Sequence, residues 1–281
     1  MLCHRIGQVI EAYSYEFRPG HETDFADSLG GSWYVSPKAH GIELLTMAPF
    51  YLAMTVYFGH KAVIKNKQNY VLLTQRRHRP QQSWLEFMAL VLLTLSISVT
   101  VVHKYASHTE FFLLQPCHMS AFMLVIIMAW PNKSSLLIPA LLFNIYLHTL
   151  WGAVLALVFP DLRDHEMLGE VFNFFLEHGL ILVLPFYLLT TKRHVVLPFS
   201  IDMALFSFFL YAAYHSPFLQ IISLLSGYNL NYALVTPALG FLIAIGNWYR
   251  LVMFGAAFIL MFLTRYIVEL FLLFQKKQKK Q

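Results

Sequence analysis

Phe111-Phe112-Leu113-Leu114-Gln115-Pro116-Cys117-His118-Met119 opens an apolar run that continues to Trp130, placing a polar cluster inside a stretch of membrane-spanning length. At ~1.5 Å of rise per residue, roughly 20 helical residues cover ~30 Å, the hydrocarbon thickness of a bilayer. Gln115, Cys117 and His118 are therefore expected below the headgroups, where polar groups are costly and mark function. Cys117 reads as a nucleophile.

Composition supports the membrane setting. Of 281 residues, 58% are hydrophobic and 12% charged, whereas soluble domains carry about a quarter charged residues. Segments of spanning length run over 42–60, 84–103, 111–130, 135–159, 170–191, 197–217 and 248–273, predicting an all-α, polytopic bundle of seven transmembrane helices. The sixth is the least distinct, because apolar character resumes at Phe218–Leu225 and 232–245 fits a short re-entrant or interfacial piece; six helices remain the alternative.

Basic residues orient the bundle. Lys61, Lys65, Lys67, Arg76, Arg77 and Arg79, then Lys133, Lys192, Arg193 and the tail lysines, give thirteen on one side against six on the other. Lys and Arg collect on the cytosolic side, so the amino terminus is expected to be lumenal and the carboxyl terminus cytosolic, a parity that seven helices satisfy. The net charge of +5 is a topology signal: basic residues flank helices and form no aromatic-interleaved surface, so no nucleic-acid partner is expected. The expected organisation is a lumenal arm over 1–41, a seven-helix catalytic domain over 42–274 and a basic cytosolic tail over 275–281. Two cysteines, Cys3 and Cys117, make no disulfide framework, and the first residues lack the apolar core of a cleaved signal. Lys277 and Lys279, five and three residues from the end, fit a dilysine retrieval signal of the endoplasmic reticulum as well as a plain basic stop.

Depth then decides which polar residues can act together. Counted from Phe111, Cys117 lies ~9 Å into its helix, and Pro116 loosens the preceding turn, freeing backbone groups for an oxyanion site. His118 points ~100° away from Cys117, so the base is expected from another helix. His178 stands within a turn of the same depth; Glu177 points elsewhere and can orient a second group. Asn144 and His148 share a face that Gly152 continues, a pattern that packing explains equally well. Ser96, Ser98 and Thr100 read as packing residues, and His103 and Lys104 as snorkelling, solvated groups. His215, Asn229, Asn231 and Arg250 gather near the same end, where Arg250 and the asparagines suit a phosphate or glycerol backbone. A metal or haem site on His148, His178 and His215 has no ligand-motif spacing behind it; no cofactor or metal is expected.

Leu113–His118, Glu177-His178 through Leu184-Pro185-Phe186-Tyr187-Leu188-Leu189, Tyr214-His215, Asn229-Leu230-Asn231 and Trp248-Tyr249-Arg250 together resemble the transmembrane protein 164 family, collinearly over roughly 42 to 274. Gln115 departs from the pattern, which carries Asn there. The resemblance implies a seven-helix acyltransferase of the endoplasmic reticulum membrane that moves a polyunsaturated acyl chain, arachidonoyl especially, from a diacyl phospholipid to a lyso ether phospholipid. It carries the nucleophile onto Cys117 and the catalytic histidine onto His178. Two other readings stay open: a lipid hydrolase using the same pair, and a transporter with an intramembrane polar path, for which no inverted repeat is found. The expected partners are phospholipid and lysophospholipid substrates in the membrane.

The orientation generates a test at the one sequon, Asn132-Lys133-Ser134, which falls on the cytosolic side. Asn132 is expected to carry no glycan in mammalian cells, and a mobility shift on deglycosylation that Asn132→Gln abolishes would reverse the assignment.

Overall fold

The computed structural model describes residues 2–15, 33–65, 67–68, 80–131, 136–162 and 165–278. The sequon, Lys279, the distal part of the first basic loop and most of the amino-terminal arm lie outside them. The described residues are mostly helical and contain no strand: α1 (Leu2–Tyr13), α2 (Pro37–Lys65), α3 (Trp84–Ala106), α4 (Pro116–Ala129), α5 (Leu137–Thr149), α6 (Trp151–Val158), α7 (Glu170–Thr191), α8 (Ile201–Ala213), α9 (Gln220–Ser226), α10 (Gly240–Ile245) and α11 (Tyr249–Gln278).

By length and apolarity, five helical stretches among the described residues can cross a membrane: Pro37–Ile64, Trp84–Ala106, Glu170–Thr191, Ile201–Ser226 and Gly240–Gln278; α5 and α6 make a sixth if their 40° bend lies within one passage. The remaining predicted segment holds the 14-residue α4. It is shorter than expected because Glu110–Leu114 forms a 3-10 turn and Pro116 takes the first helical position. Proline suits that position: the missing N–H would have no intrahelical partner there, and φ is already helical. Pro116 therefore starts the helix and does not loosen one already under way, and Cys117 lies in the first turn instead of ~9 Å along.

Local chemistry sets the other ends. Ser83 caps α3, its hydroxyl accepting from the Glu86 N–H at 3.1 Å. Gly169, at φ 79°, turns the chain into α7, a left-handed conformation that costs glycine nothing. α7 continues through Pro185 without interruption. The chain from α8 passes through a π turn at Tyr214–Leu219 into α9, which is why apolar character resumed after Pro217. Gly246, at φ 63°, separates α10 from α11.

The chain forms two compact units, Met1–Tyr57 with Phe208–Phe258, and Phe58–Ser207 with Ile259–Gln281. In the second, α3 packs against α4 and α7, and α4 against α5. Leu93, Leu124, Ile127, Phe143, Leu147 and Leu188 are fully buried among them. In lipid such burial adds no hydrophobic driving force, so close packing and interhelical hydrogen bonds hold the bundle. One tie is ionic: Arg193, beyond the end of α7, pairs with Glu86 of α3 and reaches Met128 O at 3.4 Å. His194 Nε2 lies 3.3 Å from the same carboxylate. Arg193 is thus buried.

Removing one partner of such a pair strands the other charge. Glu86→Ala is expected to cost about 3–5 kcal/mol, read as a large drop in the melting temperature of the detergent-solubilised protein by tryptophan fluorescence. The double substitution Glu86→Leu with Arg193→Met should recover most of it.

Candidate functional site

α3 and α7 run antiparallel and face each other along a polar seam. On α3, Ser96, Thr100 and Lys104 recur every four residues; on α7, Glu170, Asn173 and Glu177 recur at three and four. Both spacings keep one helix face. The two rows interlock: the Ser96 hydroxyl donates to Asn173 Oδ1 at 2.9 Å, and the Asn173 amide donates to Ser96 O at 3.0 Å and Thr100 Oγ1 at 2.8 Å. Thr100 donates onward to Glu177 Oε2 at 2.7 Å, and Lys104 Nζ pairs with Glu170 at 3.0 Å. Lys104 is buried, as is His103, which corrects the solvated, snorkelling role expected of both. Ser96 and Thr100 do more than pack, since they bond across helices. The matched four-residue spacing was the signal that could have revealed the seam.

At its inner end the seam reaches the cysteine. Glu177 Oε1 accepts from His118 Nδ1–H at 2.6 Å, and His118 follows Cys117 in the first turn of α4. Glu177, which was expected to orient a second group, orients His118 and accepts with both its oxygens. Cys117 itself is partly exposed and forms no disulfide. Glu177 and Lys104 both act on its sulfur electrostatically. The first N–H groups of a helix have no intrahelical partner, so those of Cys117 and His118 are available beside the thiol.

His178, on the next position of α7, is buried. Its Nδ1 lies 2.8 Å from Phe174 O. A carbonyl only accepts, so Nδ1 carries the hydrogen and neutral His178 presents a lone pair at Nε2. That nitrogen is buried and has no hydrogen-bond partner in the protein. The Phe174 ring lies against the imidazole, centroids 4.2 Å apart. No hydrogen bond ties the Cys117 thiol to the imidazole of His178 or of His118; catalytic contacts commonly tighten only in the Michaelis complex.

The other predicted residues divide by role. Asn144 is fully engaged in structure, donating to Ala140 O and Val195 O at 2.7 and 3.0 Å and accepting from Leu197 N–H at 2.9 Å. His148 repeats the His178 pattern, with Nδ1 on Asn144 O at 2.7 Å and Nε2 unpartnered. A Cβ at Gly152 would meet nothing within 4 Å, so close helix packing does not explain that glycine.

His215, Asn229, Asn231 and Arg250 belong to the other compact unit. His215 Nε2 donates to Asn231 O at 3.0 Å. Asn229 folds its own loop, accepting from the N–H groups of Leu234 and Val235 at 2.9 and 3.1 Å. Arg250 is buried, paired with Glu43 at 2.7 Å and donating to Ala233 O at 3.0 Å. Gln220 joins it by donating to Glu43 at 3.2 Å. The charge expected to meet a phosphate is therefore balanced within its own unit by Glu43, a partner that its distance in sequence concealed. Among the described residues no group of three or more His, Cys, Asp or Glu could hold a metal ion.

These features define a polytopic helical membrane protein with a buried polar seam ending at a cysteine. The sequence profile of the TMEM164 family matches residues 34–268, and the chain belongs to that family. It is similar to the transmembrane protein 164 homolog of Dictyostelium discoideum, 29% identical over 248 residues that cover 87% of each chain. No solved structure matches.

If the seam acts as one network, its members are energetically coupled. A double-mutant cycle of Thr100→Val and Asn173→Leu is expected to give a coupling energy above about 0.5 kcal/mol by thermal unfolding in detergent, whereas additive losses would make the contacts independent.

Proposed function

We propose that this chain is an acyltransferase of the endoplasmic reticulum membrane, its amino terminus lumenal, that moves a polyunsaturated acyl chain from a diacyl phospholipid to a lyso ether phospholipid through Cys117 and His178. The observation that carries the reading is the buried, unpartnered Nε2 of His178, whose neighbour Glu177 reaches His118 beside the thiol. Family membership adds the acyl-transfer expectation.

In this scheme His178 Nε2 takes the Cys117 thiol proton, and the thiolate attacks the donor ester carbonyl. The N–H groups of Cys117 and His118 face the oxygen on which charge develops. The carbon–oxygen bond to the glycerol breaks, the departing oxygen takes its proton from His178, and a lysophospholipid leaves an acyl-thioester on Cys117. The acceptor's hydroxyl then gives its proton to His178 and attacks the thioester, restoring the thiol. Glu177 fixes His118, and through it the opening turn of α4. Water in place of the acceptor would make the same residues a hydrolase; the apolar surroundings favour transfer by excluding it.

Intact-protein mass spectrometry after incubation with a diacyl phospholipid is expected to show an acyl adduct on Cys117 that Cys117→Ala abolishes. His178→Ala should slow its formation by roughly 10²- to 10⁴-fold. Adding a lyso ether phospholipid should discharge the adduct into diacyl product. Acyl transfer that survives Cys117→Ala would overturn the mechanism.

A further inference from the structure

The base proposed above has no acid behind it. When His178 Nε2 takes the Cys117 thiol proton, the Sγ–H bond breaks, an Nε2–H bond forms, and a buried imidazolium results beside a thiolate. In a Ser-His-Asp triad a carboxylate on the far ring nitrogen stabilises that cation; here Nδ1 faces a neutral carbonyl, Phe174 O, at 2.8 Å. Glu177, the adjacent carboxylate, commits both oxygens elsewhere, to Thr100 at 2.7 Å and to His118 at 2.6 Å. It acts on the His178 ring through space, as His118 and His165 do. A buried cation without a close partner is costly, so another group must answer the charge.

Phe174 meets that imidazole twice, through its carbonyl and through its ring. It stands four residues before His178, so the two side chains share a face of α7. Their ring centroids are 4.2 Å apart and the planes are inclined by 36°, which sets the imidazole against the aromatic face. That face is the negative part of the ring quadrupole, and a cation within about 6 Å of the centroid is attracted to it. The Phe174 ring is itself held: His165, from the chain before α7, and Phe175 each stand at 88° to it with centroids 5.3 Å away. The attraction is selective, because a neutral imidazole gains little from the quadrupole and an imidazolium gains most. An interaction that strengthens as the charge develops accelerates the step that creates it.

We infer that Phe174 is the positioning residue of the base: its carbonyl oxygen holds the Nδ1 hydrogen, and its ring face stabilises the imidazolium that His178 becomes on taking the thiol proton. The aromatic face thus takes the part that a carboxylate has in a triad. This inference rests on the reading of Cys117 as nucleophile and His178 as base.

The test follows acyl adduct formation on Cys117 of the full-length, detergent-solubilised protein by intact-protein mass spectrometry, with diacyl phosphatidylcholine as donor, across pH and donor concentration. Phe174→Leu removes the aromatic face and keeps an apolar side chain. It should slow adduct formation at saturating donor by roughly 2- to 30-fold and leave the half-saturating donor concentration within about twofold. The acid limb of the pH profile should move down by ~0.5–1.5 pH units, because a less stabilised imidazolium gives up its proton at lower pH. Phe174→Tyr should retain both rate and profile. Phenylalanines carrying one, two and three ring fluorines, placed at position 174, keep the shape while weakening the negative face, and should lower the rate and the limb stepwise. They decide the matter if Phe174→Leu does not fold. A rate and acid limb indifferent to fluorination overturn the role of Phe174 and leave Cys117 and His178 in place; the absence of any adduct in the unsubstituted protein overturns the acyl-thioester reading and this inference with it.

Discussion

The seam between α3 and α7 carries the constraint on which the second unit depends. Lipid offers no hydrogen bonds, so every amide, hydroxyl and charge placed in a spanning helix must find its partner on another helix or on its own backbone. Ser96, Thr100, Asn173 and Glu177 meet that demand as one network, and Lys104 with Glu170 closes it at one end. A one-residue slip of α3 against α7 would break all of these contacts together. The network fixes helix register as well as contributing energy, and it brings α4 along through Glu177 and His118.

Stability and chemistry consequently share a carboxylate. Glu177 takes its hydrogen bonds from a scaffold hydroxyl, Thr100, and from the imidazole beside the thiol. The histidine proposed as base belongs to the same helix one residue on, so the register that satisfies the scaffold also sets the height of His178. Placing such groups on packed helices holds them more firmly than loops can. The polar cluster of the other unit works differently: His40, Glu43, Gln220 and Arg250 answer one another's charge and hydrogen bonds. This fits a structural core better than an anion site.

The helices were legible in the sequence because bilayer thickness imposes a length that hydropathy reports directly. The start of α4 was misread because apolar content cannot separate a 3-10 turn from a helix, although Pro116 marked the boundary. Of the site, Cys117, His178 and Glu177 were visible as polar residues at spanning depth. What Lys104, Arg193 and Arg250 pair with was not, because Glu170, Glu86 and Glu43 lie 66, 107 and 207 residues away in the chain. Which helices adjoin, and in what register, is tertiary information that no local period carries. Lys104, near a helix end, reads as solvated for the same reason.

The bond from His178 to Phe174 O uses an oxygen that an α-helix already gives to the backbone N–H of residue 178. One carbonyl thus serves both the main chain and the ring of the same residue. The proton's location on the imidazole is therefore inherited from the helix, without a neighbouring acid to dictate it. His148 obeys the same rule on α5. A buried histidine looking back four residues behaves as a small directional device: its hydrogen is tied to the spiral behind it and its lone pair is sent outward, so a segment of five residues suffices to give an imidazole a front and a back.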